Sequence, residues 1–356
     1  MHGVGMSSTP PSVLAEIRHR IGYLTLNRPE ALNALNLDMV RLLQAQLDLW
    51  LASTDVRVVV IRAAGNRAFS VGGDVRVLYE SYQAGDTEAA ETFFTEEYAL
   101  DLLIHHYPKP IIALVDGYVL GGGMGLAQGA LTIATRRSRL GMPETAIGFF
   151  PDVGASYFLS RLPGALGAYL GVTGLQLSAA DARYAGLLDI VVEDDGVAAV
   201  ELALAGLNGA DQVFSMFERQ LREMGLAPES ELEQLRPAID RHFAAANLRD
   251  IRDSLRSEQH PAWRGWAEQT LALMETRSPL AMAVTLELLA CGEQLSLEEC
   301  FALELHLDKQ WFEHGDIAEG VRALLVDKDK QPRWKVASID QLDEDRIKGF
   351  FEGFDS

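Results

Sequence analysis

Apolar and polar residues alternate through Ile21-Gly-Tyr-Leu-Thr-Leu-Asn27, the period of a half-buried β-strand. Val13, Leu14 and Ile17 mark a shorter strand ahead of it, with His19 and Arg20 in the turn between them. Arg28-Pro29 ends the run, because proline brings no N–H to a ladder. From Leu37 to Leu51 the spacing changes: Met39, Leu42, Leu43, Leu47 and Trp50 recur every three to four residues and predict a helix. Arg57-Val-Val-Val-Ile-Arg62 and Pro110-Ile-Ile-Ala-Leu-Val-Asp116 are apolar runs too short for a free-standing helix, so they read as buried strands. A glycine loop at 70–74 precedes a helical stretch over about 75–107, and Leu120-Gly-Gly-Gly-Met-Gly125 leads into a short helix. Strands alternating with helices over residues 13–192 predict an α/β unit.

Beyond Gly196 the strand-like runs stop, and Ala, Leu, Glu, Gln and Arg dominate as far as Leu325. Ser278-Pro279 has the form of a helix start, and Ser296 followed by Glu299 has the form of a capping box. The pattern therefore divides the chain into an α/β core over 12–192, a mainly helical region over 196–325, and an exposed polar tail over 326–356.

Composition agrees with a packed protein: 48% hydrophobic and 23% charged residues in 356 are ordinary globular values, and too apolar for a disordered chain. Basic residues number 31 against 51 acidic ones, a net charge of −20, which argues against nucleic acid as a partner. A small anionic ligand is still compatible, since a few backbone N–H groups can hold one. No apolar run reaches the ~18–20 residues of a membrane span. Met1 to Ser12 lacks the apolar or arginine-rich pattern of a targeting signal, so the expected location is the cytoplasm. Cys291 and Cys300 are too few for a disulfide framework or a zinc site, and read as reduced core thiols.

Three stretches carry candidate chemistry. Phe69-Ser-Val-Gly-Gly-Asp74 and Gly121-Gly-Gly-Met-Gly125 each follow a predicted buried strand. A single glycine loop is ordinarily a tight turn. Two of them at strand-to-helix junctions of one sheet can bring two backbone N–H groups together, the requirement of an oxyanion hole. Neither loop has the pattern of a phosphate loop or a dinucleotide fingerprint. In Met142-Pro-Glu-Thr-Ala-Ile-Gly-Phe-Phe-Pro-Asp-Val-Gly154, Glu144 and Asp152 sit in otherwise apolar surroundings. Burial there raises a carboxyl pKa toward the range useful for proton transfer, although Asp152 reads equally well as a helix N-cap. His105-His106 with Asp101 lacks a third metal ligand and reads as a solvated helix end; Glu96-Glu97 by pattern alone reads as a solvated face. Phe149 and Phe150 read as pocket wall and core.

The order Asn27-Arg-Pro29, Asn33-Ala-Leu35, Gly72-Gly-Asp74, Gly121-Gly-Gly123 and Pro143-Glu144 resembles the crotonase (enoyl-CoA hydratase/isomerase) superfamily. Phe94-Thr-Glu-Glu-Tyr98, Met142 to Gly154 and the ending Ala323-Leu-Leu-Val-Asp-Lys-Asp-Lys330 resemble more narrowly its 3-hydroxyisobutyryl-CoA hydrolase branch. The resemblance implies a crotonase-like spiral of ββα units, trimer-forming in many members, that binds an acyl-CoA. It puts the oxyanion donors at Gly73 and Gly122, a catalytic glutamate at Glu144, a second carboxylate at Asp152, and a substrate contact at Glu97. Hydratases of the superfamily use a further glutamate shortly after the glycine turn, where this chain has Gly125.

A syn addition of water needs both a base and an acid, so the loss of that carboxylate disfavours a hydratase. The implied activity is hydrolysis of 3-hydroxyisobutyryl-CoA, a step of valine breakdown, with Glu144 as base or nucleophile and no cofactor beyond the CoA of the substrate. The competing readings are an enoyl-CoA hydratase or isomerase using a different carboxylate pair, and a non-catalytic acyl-CoA-binding subunit. Ser70-Val71 replaces the branch's usual Cys-Ala, and Ala155-Ser156 replaces a Gly-Gly pair, which is expected to reshape the acyl pocket. Arg28 reads as a candidate for the CoA phosphates or as a salt-bridged surface residue.

Overall fold

In the computed structural model, the structure describes residues 10–206, 218–219, 221–223 and 225–354. Strands β1 (Val13–Arg18) and β2 (Ile21–Leu26) form an antiparallel hairpin. β3 (Val58–Ala63), β5 (Ile111–Val115), β7 (Leu131–Thr135) and β10 (Ile190–Val192) add parallel strands in the order β1-β2-β3-β5-β7-β10. Three of these strands run on into a second, four-stranded sheet, β4 (Ala68–Ser70), β6 (Tyr118–Leu120) and β8 (Arg139–Gly141), whose edge is β9 (Leu177–Ser178). Three successive turns of the chain, β3–β4, β5–β6 and β7–β8, thus lay one strand in each sheet, the expected ββα spiral.

The central strands are apolar throughout because both faces are covered. On one face Leu24, Val59, Ile61 and Ala113 pack with Met39, Leu43 and Leu47 of α1 (Leu37–Leu51). On the other, Tyr23, Val58, Val60, Ile112 and Ile133 meet Val200 and Leu204 of α8 (Gly196–Gly206). α1 begins where Asn36 caps it, accepting from the Met39 N–H at 2.9 Å. The helical stretch expected over 75–107 is two helices, α2 (Val75–Gln83) and α3 (Glu88–His105). Gly85, at φ +85°, makes the break in a conformation that only glycine adopts freely. α4 (Gly122–Gln128), α5 (Ala155–Phe158), α6 (Leu166–Thr173) and α7 (Ala179–Ala185) complete the strand-bearing part.

Among the described residues no strand follows Val192. α9 (Glu231–Phe243), α10 (Leu248–Arg256), α11 (Arg264–Met274), α12 (Pro279–Gly292), α13 (Leu297–His314) and α14 (Ile317–Val321) occupy that region. Ser278 caps α12, and Ser296 with Glu299 forms the capping box of α13. α13 lies against α3 and α5, which brings the helical region to the strand-helix junctions.

Most of the polar tail is exposed, as expected, but it is docked on the body. Val336 and Phe350 are buried, the Phe350 ring lies 4.9 Å from that of Trp311, and Asp340 pairs with Arg252 at 2.6 Å. Single apolar residues spaced among its charges, with the short helix α15 (Glu344–Gly349), fasten it to the body. Pattern reading missed them because no two neighbours share one period.

Candidate active site

The two glycine loops meet. Asn33, itself buried, donates to the carbonyls of Ala64 (3.1 Å) and Ala68 (2.9 Å), and accepts from the Arg28 N–H. The chain beyond it then pairs with the first loop: Leu35 N–H donates to Gly72 O and Asp74 N–H to Leu35 O, both at 2.8 Å. Gly73, between these bonds, and Gly122, the first residue of α4, have N–H groups with no protein acceptor among the described residues. The loops are so close that a Cβ added to Gly122 would lie 3.3 Å from the Gly73 nitrogen. Two unsatisfied donors thus lie side by side, the proximity an oxyanion hole demands.

Acidic side chains surround that point. Glu144 opens a tight turn, Glu144–Ile147, which is pinned when the Thr145 hydroxyl donates to Val172 O at 3.1 Å. Its Oε1 reaches back to the second glycine loop, where a Cβ on Gly121 would lie only 2.5 Å away, and its Oε2 is buried without a partner. Glu97 projects from α3 so that Oε1 occupies the space a side chain on Gly122 would need. Any residue but glycine at 121 or 122 would displace a carboxylate.

Asp152 stands before Val153, a β-branched residue held at φ +53°, a strained conformation often found beside functional groups. The turn is held from α13: Gly154 N–H donates to Glu304 Oε2 at 2.7 Å, and Ser156 donates to Oε1 through its N–H (2.9 Å) and its hydroxyl (2.5 Å). The cap of α5 is Gly154 and not Asp152, whose Oδ2 instead lies 2.9 Å from the Tyr98 hydroxyl. Ser156, expected to reshape the acyl pocket, is engaged with Glu304 and does not line it.

A cavity of about 330 Å³ is lined by Gly73, Glu97, Gly122, Glu144 and Asp152, with Phe149 as one wall. All five residues expected at the site are therefore brought together. Leu325 joins them from the C-terminal region. Burial raises the pKa of Glu144 well above the carboxylate range, and the neighbouring Asp152 raises it further. The same two causes raise Glu97. Asp152 itself is pushed up to about 7 by burial, against the pull of the Tyr98 hydrogen bond. Arg28 donates to Ala34 O and pairs with Asp74 at 3.1 Å, so it braces the first glycine loop.

The sequence reading missed four residues. Asp101 is fully buried one helical turn beyond Glu97, and both its oxygens lack partners. Tyr98, Glu304 and Asp308 join it behind the cavity, all buried. His105 is not the solvated end expected: its ring packs edge-on to Phe301 and its Nε2 is buried, while exposed His106 pairs with Glu298 at 2.8 Å. A signal was present for all of these but Tyr98. Glu97, Asp101 and His105 share one face of α3, and Glu304 and Asp308 share one face of α13, at a spacing of four residues among apolar neighbours.

The family model for enoyl-CoA hydratase/isomerase matches residues 21–351. A protein of Danio rerio named 3-hydroxyisobutyryl-CoA hydrolase, mitochondrial, is 37% identical over 361 residues, covering 100% of this chain and 93% of the relative. The solved structure of an enoyl-CoA hydratase from Rhodobacter sphaeroides has a TM-score of 0.87 and 35% identity, covering 96% of this chain and 97% of that one. A carnitinyl-CoA dehydratase from Mycobacterium thermoresistibile has the same TM-score, 0.87, with 35% identity and 96% coverage of both chains.

Proposed function

The chain belongs to the enoyl-CoA hydratase/isomerase family, and from that footing we propose that it is a thioester hydrolase acting on 3-hydroxyisobutyryl-CoA. One observation carries the reading: Glu144 and Asp152 share one cavity with two adjacent, unsatisfied N–H donors, while the position of the second hydratase glutamate is Gly125. The full-length likeness to a relative named as that hydrolase supports it.

The N–H groups of Gly73 and Gly122 receive the thioester oxygen, and each lowers the barrier by about 3 kcal/mol as negative charge builds there. Glu144, once ionised, activates water or attacks the acyl carbon itself; both routes place one of its oxygens on that carbon's side of the hole. Asp152 receives the substrate 3-hydroxyl and handles the proton that passes from water to the leaving sulfur. Glu97 holds the acyl-CoA against the Gly122 turn. Nothing in the scheme calls for a cofactor other than the substrate's own CoA. The product, 3-hydroxyisobutyrate, assigns the enzyme to valine breakdown. A cytoplasmic location stays part of the reading, while the relative named above is a mitochondrial protein, and the trimers common in the family support a homo-oligomeric enzyme.

A second reading, enoyl-CoA hydration, is favoured by one feature: the Asp101 carboxyl fills the space of a side chain at Gly125, the position of the second hydratase glutamate. Incubation with 3-hydroxyisobutyryl-CoA and with crotonyl-CoA separates the two. Free thiol from the first with unchanged double-bond absorbance in the second is the expected result. Loss of that absorbance without thiol release establishes the hydratase. Binding of both with no reaction leaves a non-catalytic subunit.

A further inference from the structure

The Tyr98 hydroxyl lies 2.9 Å from Oδ2 of Asp152 and 2.6 Å from Oδ2 of Asp308, and all three side chains are buried. Both separations are those of hydrogen bonds between oxygens. A phenol carries one proton and donates once. Two carboxylates cannot both accept it, so the second bond requires a proton on one of the carboxyls, donated to the phenol oxygen. The chain Asp308–Tyr98–Asp152 therefore holds two protons in two bonds, with one carboxyl neutral and the other ionised.

We propose that Asp308 is a positioning residue that stores a proton for Asp152 through Tyr98, a role that rests on the thioester-hydrolase reading above. Asp308 keeps its proton and donates to Tyr98, and Tyr98 donates to Oδ2 of the ionised Asp152. A proton released from water, directly or by way of Glu144, reaches Oδ1 and neutralises Asp152. When Oδ1 delivers that proton to the leaving sulfur, the proton of Tyr98 passes to Oδ2 and that of Asp308 to Tyr98. Asp152 stays neutral and the charge is left on Asp308, behind the pocket wall, until the shifts reverse. Each proton leaves one oxygen for another or for sulfur, so every bond broken is matched by one formed.

The surroundings favour one charge over two. The titratable groups facing the pair are Glu97, Asp101 and Tyr98 on α3, Glu144 on its turn, and Glu304 on α13. Burial first and then Asp152 drive the Asp308 carboxyl well above its usual range. Burial also holds the Tyr98 phenol protonated well above its own range. Asp308 Oδ1 is buried without a partner, so its second oxygen has no competing bond.

The test is Asp308→Asn, in which the amide still donates to Tyr98 but stores no proton. Thiol release from 3-hydroxyisobutyryl-CoA is followed from acid to alkaline pH beside the unaltered protein, Tyr98→Phe and Asp308→Glu. Expected are a kcat at least tenfold lower in Asp308→Asn and Tyr98→Phe, a KM within about twofold, and partial rescue by Asp308→Glu. In Asp308→Asn the alkaline limb of kcat that ionisation of Asp308 produces is lost. An unaltered protein that is active, with kcat and pH profile unchanged in both variants, overturns the proposal. Tyr98→Phe, which removes only a hydroxyl, decides the matter should Asp308→Asn not fold. An unaltered protein that releases no thiol fails the functional reading instead. The shared proton is then read by infrared spectroscopy on the free protein at neutral pH. Loss of one neutral-carboxyl band in Asp308→Asn supports it, and an unchanged spectrum overturns it.

Discussion

The Asp101 carboxyl lies against Gly125, in the space that any side chain at position 125 would enter. The glycine that replaces the hydratase glutamate is thus a steric requirement of the acid one helix away. A Cβ at 125 also meets the Val153 Cβ at 2.8 Å, and so presses on the strained residue that follows Asp152.

Gly125→Ala is accordingly expected to cost about 1–3 kcal/mol of stability by overpacking. Asp101→Ala in the same chain frees the space, so the double variant should be about 1 kcal/mol more stable than the two single changes predict together. Urea unfolding of the four proteins measures that coupling. Strict additivity would show that the two positions do not compete for space.

The α/β core was legible because β2, β3 and β5 are buried on both faces and α1 carries a clean helical period. β4, β6 and β8 were not, since strands of three residues are too short to show any period. Glu144 and Asp152 stood out as acids within an apolar stretch. Glu304 and Asp308 satisfy that same criterion among Phe301, Leu303, Leu307 and Trp311, but a helix spreads its apolar neighbours over three turns and hides the contrast. The link from Tyr98 to Asp308 spans 210 residues, and no local pattern announces it.

Glu144→Gln keeps size and removes the base or nucleophile. Turnover of 3-hydroxyisobutyryl-CoA is expected to fall on the order of 10³-fold with binding changed only a few-fold. Single-turnover kinetics beside a binding titration check this. Near-native turnover would make Glu144 a structural residue.

The buried acids also set a pH dependence of stability. Burial raises Glu304 to about 8 and Asp152 to about 7, so each keeps its proton in the fold at pH values where the unfolded chain has lost it. The fold is then favoured fully below the ordinary carboxylate range. It loses about 1.4 kcal/mol per pH unit for each such group as pH rises toward those values. Urea midpoints should fall between pH 5.5 and 8, and a flat or rising curve would contradict the directions given for these acids.

Asp152→Asn bears on both recognition and proton transfer. The residue does not cap α5, and Asn still accepts from Tyr98, so folding should survive. Replacing one of several crowded acids by a neutral group should leave the melting temperature at pH 8 unchanged or higher. Thiol release is nevertheless expected to slow about 100-fold, because Asn neither takes water's proton nor returns one to sulfur. That loss applies to any acyl-CoA, with or without a 3-hydroxyl. A hydrogen bond to the hydroxyl adds a second loss, of several-fold, seen only with the hydroxylated substrate. Steady-state kinetics on isobutyryl-CoA and 3-hydroxyisobutyryl-CoA separate the two contributions. A loss confined to the hydroxylated substrate would limit Asp152 to recognition and leave the proton to Glu144 alone. Equal losses on both would limit it to proton transfer. Normal rates on both would remove it from the mechanism, and with it the purpose of the bonds that Tyr98 and Glu304 make to hold it and its turn in place.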